Sequence, residues 1–146
     1  MSYSFTGRCL CGGLSFECRA QPAVAGHCYC TDCRRASGTG HSSHLGAPRA
    51  AVTISGEARR YESKADSGNT VTRAFCPTCG GQVYSLNSAM PEMIFLRASS
   101  LDDPAVFRPA FAIYTSRAPS WDPVAPGLAS FPAMPPPEAM PGGGRG

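Results

Sequence analysis

The stretch CPTCGG, residues 76–81, is the part of the sequence from which the fold is best predicted. Two cysteines separated by two residues can form a tight turn that directs both sulfur atoms at one metal ion. Gly80 gives the backbone the freedom to turn its amide groups toward the thiolates. Extended segments on both sides make the stretch the expected tip of a β-hairpin. Two ligands cannot complete a tetrahedral zinc site, so a second pair must come from elsewhere in the chain.

A second pair of cysteines near the start of the chain is the natural donor. Cys9 and Cys11 are followed by two glycines and lie at the end of another predicted strand. Together with Cys76 and Cys79 they would give zinc four thiolates and leave no open position. Such an ion organises the chain and is a poor Lewis acid. The sequence therefore predicts a structural zinc at these four residues.

A third cluster has a different spacing. Cys28, Cys30 and Cys33 can place three sulfur atoms around one ion from a single strand-to-helix turn. Three protein ligands with one open position are typical of catalytic zinc. Arg34 and Arg35 follow directly and are candidates to bind a substrate carboxylate. The sequence thus predicts two zinc ions per chain, the second of them at a catalytic site.

Other arrangements of the eight cysteines stay open at this point. Cys18 or a histidine could fill the fourth position of the second site, which would make that site structural. Cys30 and Cys33 could instead join Cys76 and Cys79 in a zinc ribbon. A set of disulfides is a further alternative, typical of secreted chains.

The three histidines are weaker candidates for chemistry. His41 and His44 follow the predicted helical turn, and either could carry a proton or act as a fourth ligand. Solvated side chains are the more ordinary interpretation of both. His27 precedes Cys28 directly and is therefore expected on the opposite side of the strand.

Composition excludes several classes of function. With 13 basic and 10 acidic residues the net charge is +3, too small for the concentrated basic surface of a nucleic-acid binder. No apolar run approaches the roughly 18 residues that a membrane span requires. Residues 1–5 lack the basic and apolar regions of a secretory signal. We therefore expect a cytoplasmic protein, and in a reducing compartment clustered cysteines bind metal more often than they form disulfides.

Short extended segments separated by glycine-containing turns dominate the chain and predict a mainly β fold. The expected strands are residues 3–6, 14–18, 52–55, 70–75, 82–86 and 93–96. One helical turn is expected from Thr31 to Ser37, with Thr31 as N-cap and Gly38 as its end. Residues 3–131 should form one zinc-binding domain. Residues 132–146 are rich in proline and glycine and should form a disordered tail.

The three cysteine clusters and their flanking residues resemble the glutathione-dependent formaldehyde-activating enzyme family, which includes centromere protein V. The resemblance lies in GRCLCGGLSF (7–16), CYCTDCRRASG (28–38), FCPTCG (75–80), SLDDP (100–104) and IYTSR (113–117). It runs from about residue 5 to residue 131 and implies a β-rich fold of coiled sheets, similar to the Mss4-like fold. It also implies the same division of the cysteines into a structural and a catalytic-type zinc site.

The resemblance implies an activity as well. Members of the family are carbon–sulfur lyases, and the founding member joins formaldehyde to glutathione as S-hydroxymethylglutathione. We therefore expect a zinc-dependent lyase acting on glutathione and formaldehyde or a related small thiol and aldehyde. The alternative is a non-catalytic zinc module that binds a protein partner. The lyase needs an open position on the second zinc, whereas the binding module would have a saturated one.

Overall fold

The structure is a computed structural model that describes residues 3–139. Within these residues the chain forms eleven strands and one α-helix, connected by short 3₁₀ turns, which confirms the predicted mainly β class. The strands are β1 (Phe5–Arg8), β2 (Ser15–Cys18), β3 (Val24–Cys28), β4 (Ser42–Pro48), β5 (Val52–Ser55), β6 (Arg59–Lys64), β7 (Thr70–Phe75), β8 (Gln82–Asn87), β9 (Met93–Arg97), β10 (Phe111–Ile113) and β11 (Ala129–Ser130). The helix is α1 (Thr31–Ser37).

The strands form a small and a large sheet. The small sheet has the order β1-β2-β5 and is antiparallel. The large sheet has the order β11-β10-β3-β4-β9-β8-β7-β6. Its only parallel pairs among the described strands are those of β10 with β3 and with β11.

The hydrophobic core lies between the small sheet and one face of the large sheet. A single cluster of buried side chains joins the two, with Phe5 and Phe16 from the small sheet packing with Leu45 and Leu96 from the large one. Leu45 pairs with Leu96 across β4 and β9, and Leu96 pairs with Tyr84 on β8. Because neighbouring positions across a sheet share a face, these residues form a continuous apolar row.

The opposite face of the large sheet carries polar residues instead. His44 on β4 pairs with Arg97 on β9, and Arg73 on β7 pairs with Ser85 on β8. Side chains alternate along a strand, so this polar face belongs to the positions next to those of the apolar row. Helix α1 packs against β4, and its Cys33 lies beside His44, which places the helix on the polar face.

The helix has the predicted length but a different N-cap. The Sγ atom of Cys30 accepts a hydrogen bond from the backbone N–H of Cys33, and Cys30 has the extended backbone of a cap residue. The prediction that Thr31 is the N-cap was therefore wrong, because the thiol one residue earlier already satisfies the free N–H. At the other end Gly38 has a φ of 80° and donates its N–H to the carbonyl of Arg34, which confirms the predicted end.

Six strands lie where the sequence predicted them, with shifts of one or two residues at some ends. Five strands were not predicted, namely β3, β4, β6, β10 and β11. Strand β4 contains glycine and proline, and β6 is a polar edge strand, so neither shows the usual composition of a strand. Strand β4 is stabilised by pairing with β9, which is far away in sequence, and β6 by a hairpin with β7, the next strand in the chain.

The C-terminal part continues past the last strand. Phe131 donates its N–H to the carbonyl of Ala112, and residues Pro137–Ala139 form a short 3₁₀ turn. The boundary at residue 131 stays a prediction. The disordered tail predicted for residues 132–146 also stays a prediction, and its residues 140–146 lie outside the described residues. Among residues 3–139, no helix is long and apolar enough to cross a membrane.

Candidate metal centres

The first predicted centre brings four thiols together. The Sγ atoms of Cys9, Cys11, Cys76 and Cys79 all lie within 4.8 Å of one another. Cys11 Sγ is 3.7 Å from Cys9 Sγ and 3.6 Å from Cys76 Sγ. Zn–S bonds of about 2.3 Å in a tetrahedron separate the sulfurs by roughly 3.8 Å, whereas a disulfide needs about 2.05 Å. All eight cysteines are free, and the spacing fits a tetrahedral metal rather than disulfides.

Backbone amide groups surround these sulfurs. Gly81 donates its N–H to Cys79 Sγ at 3.4 Å, and Gly13 donates to Cys11 Sγ at 3.4 Å. Gly80 has a φ of 76°, which lets the chain turn back toward the thiols as the sequence predicted. The N–H groups of Cys11 and Gly81 lower the pKa of Cys79 to about 6. Because a thiolate is the form that binds metal, these hydrogen bonds favour metal binding.

The first centre also links the two sheets. Cys9 follows β1 of the small sheet, and Cys76 follows β7 of the large sheet. Both are buried and belong to the same core cluster as Phe16 and Leu96. A metal ion at this centre would therefore hold the two sheets together at one end of the core.

The second predicted centre brings three thiols together. The Sγ atoms of Cys28, Cys30 and Cys33 lie within 4.8 Å of one another, and no further Cys, His, Asp or Glu of residues 3–139 joins the group. Cys28 ends β3, Cys30 caps α1, and Cys33 lies in its first turn. Cys28 and Cys33 are buried, whereas Cys30 is partly exposed. The donors fit zinc, and solvent reaches the group on the Cys30 side.

Hydrogen bonds among the three thiols of the second centre shift their pKa values in opposite directions. Hydrogen bonds from the Cys28 and Cys33 thiols lower the pKa of Cys30 to about 2. The same contacts, with burial, raise the pKa of Cys28 above its usual value. Metal binding would displace the remaining thiol protons.

The structure shows which cysteines lie together, a question that the sequence left open. Cys76 and Cys79 join Cys9 and Cys11, so the zinc-ribbon pairing does not form. Cys18 is fully buried in the core and donates its thiol hydrogen to the carbonyl of Ala20.

His44 lies at the edge of the second centre. Its Nε2 atom is 3.8 Å from Cys33 Sγ but does not belong to the group of mutually close donors. Its Nδ1 atom is buried without a hydrogen-bond partner. Burial, together with the guanidinium groups of Arg97 and Arg73, holds the pKa of His44 well below its usual value. The ring is therefore neutral.

His27 and His41 form a separate group on the other side of β3. His27 pairs with Ser43 across the strands, and its Nδ1 lies 2.8 Å from Ser43 Oγ, which confirms its predicted orientation away from Cys28. His41 Nδ1 lies 2.5 Å from the carboxylate of Asp122. Burial and the neighbouring His41 lower the pKa of His27 to about 4. Neither histidine joins the cysteine group.

Two buried arginines stand on the polar face beside the second centre, and neither was predicted from the sequence. Arg97 is only 3% exposed and Arg73 only 8%. Arg97 Nη1 donates to Ser42 Oγ, and Arg73 Nη1 donates to Ser63 Oγ at 3.3 Å. The Nε atoms of both, and Nη2 of Arg97, have no hydrogen-bond partner.

These guanidinium groups also lack a carboxylate partner among the described residues. Burial lowers the pKa of Arg97, and the thiols of the second centre act in the opposite direction. Arg73 attracts the thiolate of Cys30. The sequence gives only a weak signal for these two arginines, because each is simply a charged residue at an inward-facing position of a strand.

A cleft of about 420 Å³ opens between α1 and the strands β6, β7 and β8. It is lined by Asp32, Arg35, Ala36, Tyr61, Ser63, Arg73, Phe75 and Gln82. Arg35 is thus in the cleft, whereas Arg34 is not one of its lining residues, and a substrate-binding role of either stays a prediction. The cleft and the second centre lie on the same polar face of the large sheet, since Arg73 lines the cleft and His44 lies beside Cys33.

Tyr114 is a further residue of this region, and no chemical role was predicted for it from the sequence. It follows β10, in which Ile113 pairs with Cys28, and its φ of 56° lies in the left-handed region. For a non-glycine residue this conformation costs roughly 1–3 kcal/mol and often marks a functional region. Burial and the nearby thiols of Cys28 and Cys30 raise the pKa of Tyr114, so its phenol keeps its proton.

The fold and the clusters agree with comparisons to known proteins. Residues 4–117 match the sequence model of the glutathione-dependent formaldehyde-activating enzyme family. None of the curated protein sequences is significantly similar to the chain. A crystal structure of a Rhodobacter sphaeroides protein shares the fold, with a TM-score of 0.56 and 19% identity over 86% of this chain and 98% of that one. The family match spans well over half of the chain and confirms the resemblance: the chain belongs to the glutathione-dependent formaldehyde-activating enzyme family.

Proposed function

We propose that the chain is a zinc-dependent carbon–sulfur lyase acting on a thiol–aldehyde adduct, that of glutathione and formaldehyde or of a related small pair. Membership of the family supports a formaldehyde-activating, glutathione-related function. The observation that carries the proposal is the group of three thiols at Cys28, Cys30 and Cys33. No fourth protein donor joins it within residues 3–139, and it is open to solvent at Cys30.

The two clusters take different roles in this proposal. Cys9, Cys11, Cys76 and Cys79 hold a structural zinc, because four thiolates leave no position for a substrate. Cys28, Cys30 and Cys33 hold a second zinc. When bound there, zinc supplies Lewis acidity, which favours the deprotonated form of a substrate thiol and stabilises negative charge on a carbonyl oxygen.

The surrounding side chains adjust the charge of the second centre. Arg73 and Arg97, both buried, bring two positive charges to three thiolates. With a divalent ion in place, the sum is one positive charge, which favours an anionic ligand such as a substrate thiolate. The neutral ring of His44 fills the edge next to Cys33 without adding charge.

Positioning is the remaining task of the chain. Glutathione and formaldehyde react without a catalyst, so holding the thiol and the aldehyde in contact is a large part of what the site has to contribute. The cleft lined by Arg35 and Arg73 adjoins the second centre and offers space for the rest of the thiol substrate. Tyr114 retains a phenolic proton that can be donated to a nearby oxygen.

A non-catalytic zinc module remains the competing proposal. It requires a saturated second centre, and the described residues supply only three donors to that group. It also gives no reason for a cleft that holds the incompletely hydrogen-bonded Arg73 on the same face of the sheet. The site therefore favours the enzyme.

The test combines metal analysis with an assay. We expect two zinc ions per chain by elemental analysis after purification under reducing conditions without chelator. With this protein, NMR exchange spectroscopy should show faster interconversion of glutathione and S-hydroxymethylglutathione than in buffer. Two zinc ions without any acceleration for this or other small thiol–aldehyde pairs would refute the lyase and favour the binding module. One zinc ion, even after zinc repletion, would refute the second metal centre.

A further inference from the structure

We propose that the cleft between α1 and β6–β8 is a carboxylate-binding subsite in which Arg73 is the buried anchor. This subsite depends on the proposed function in one respect only, namely that the ligand's thiol or aldehyde group reacts at the neighbouring cysteines. The ligand chemistry is a carboxylate within reach of the second centre. It can come from a thiol substrate of the glutathione type or from an aldehyde that carries an acid group, such as glyoxylate.

The state of the Arg73 side chain is the first argument. It is 8% exposed, and its single hydrogen bond, from Nη1 to Ser63 Oγ, leaves Nε without a partner. No carboxylate of residues 3–139 lies within ion-pair distance. A buried charge without a full set of partners is strongly unfavourable, so its presence indicates that a ligand completes it.

The other lining residues suit the same ligand. Arg35 is exposed on the helix side of the cleft and adds a second guanidinium. Gln82 has a buried Oε1 atom without a partner, and its amide can turn to donate or accept a hydrogen bond. Asp32 is the only acidic lining residue, which leaves the cleft with one net positive charge. Arginine binds carboxylates through two parallel hydrogen bonds, which makes this group the preferred occupant.

The position and size of the cleft are the second argument. Arg73, which lines the cleft, and His44, which lies 3.8 Å from Cys33 Sγ, are on the same face of the large sheet, and α1 contributes residues to both the cleft and the cysteine group. One small molecule can thus contact both the cysteine group and the cleft. A volume of about 420 Å³ lies within the range of small-molecule sites.

Calorimetric titration of the zinc-loaded full chain tests the subsite directly. The probes are S-methylglutathione, its diethyl ester and glyoxylate. A methylated sulfur cannot form the adduct, so binding of this probe does not depend on lyase activity. We expect S-methylglutathione to bind at least tenfold more tightly than its ester. Arg73→Gln should weaken the binding of the acid at least tenfold and Arg35→Gln about threefold, whereas Arg108→Gln, an exposed arginine outside the cleft, should leave it unchanged.

The probes separate the two sources of the carboxylate. Binding of S-methylglutathione assigns the subsite to the thiol substrate, and binding of glyoxylate alone assigns it to the aldehyde. Equal affinity for acid and ester, no binding of either acid, or unchanged binding in both arginine variants would overturn the subsite. If Arg73→Gln does not fold, Gln82→Glu takes its place, since a negative charge in the cleft should repel the carboxylate. Arginine-dependent binding without lyase turnover would support the subsite and refute the proposed function. Lyase turnover without arginine-dependent binding would support the proposed function and refute the subsite.

Discussion

The two cysteine clusters are built from the same donor atoms but differ in their surroundings. The four-cysteine cluster connects the ends of β1 and β7, and two of its members are part of the hydrophobic core. The three-cysteine cluster lies on the opposite, polar face of the large sheet, beside Arg97 and a cleft. The comparison teaches that the number of ligands and their neighbours, rather than the type of ligand, separate a centre suited to stability from one suited to chemistry.

The largest expected effect is the loss of folding when the four-cysteine cluster is broken. Cys76→Ser removes a proposed zinc ligand that is 2% exposed and packed in the core. Zinc binding at structural sites contributes roughly 10–16 kcal/mol, which is comparable to the whole stability of a domain. We expect little soluble protein, or an unfolding temperature lower by more than about 10 °C, measured by circular dichroism.

A buried thiol outside both clusters provides the control. Cys18→Ala removes a sulfur that is equally inaccessible, and it should cost only about 1 kcal/mol, as the loss of a small core group does. If Cys76→Ser unfolds at nearly the same temperature as Cys18→Ala, the four-cysteine cluster is not the structural centre.

The second expected effect concerns activity rather than folding. Cys30→Ser should reduce lyase turnover by at least about 100-fold, because it removes one of the three proposed ligands of the second zinc. The fold should persist, since Cys30 is partly exposed and a serine oxygen can accept the N–H of Cys33 as the thiol does. Turnover is measured by NMR exchange and stability by thermal unfolding.

The two serine variants together test the comparison. Turnover at the wild-type level in Cys30→Ser would contradict the catalytic role of the second centre. Unfolding of Cys30→Ser to the same extent as Cys76→Ser would show that both clusters are structural.

The sequence was sufficient for the parts of the site that are local. Spacings such as C-x-C-x-x-C constrain three sulfurs within one strand and one helical turn, so Cys28, Cys30 and Cys33 could be grouped from their spacing alone. For the other cluster, the sequence favoured grouping Cys9 and Cys11 with Cys76 and Cys79 over the other possible groupings of the cysteines. Here the flanking glycines were the useful signal, because they indicated where the backbone turns toward the sulfurs.

The parts that could not be predicted depend on the register of distant strands. Arg73 and Arg97 become neighbours of the second centre only when β7, β8, β9 and β4 pair in their observed order. In the sequence they are two of many arginines, in strands whose other residues indicate a core. Strand β4 was missed for the same reason, since its pairing with β9 makes it a strand. Strand β6 was missed because its composition is polar, although its partner β7 follows directly in the chain.

The smallest expected effect distinguishes the clusters by their dependence on charge. Arg97→Met keeps much of the side-chain volume but removes a guanidinium that is attracted by the thiols of Cys33, Cys28 and Cys30. Without it, the negative charge of the three thiolates is less well compensated. We expect the affinity of the second zinc to fall roughly 10- to 100-fold, as with other changes beside metal ligands.

Competition with a chromophoric chelator measures this loss, and the two zinc ions serve as each other's reference. Arg97 neighbours only the second centre, so the first zinc should keep its affinity in Arg97→Met. Arg97→Lys retains the charge and should restore most of the difference, which a purely steric role would not do. Equal loss of both zinc ions would instead mean that the variant destabilises the whole chain. Unchanged affinity at both would mean that the thiolates need no buried counter-charge, and the contrast between the two clusters would then rest on ligand number alone.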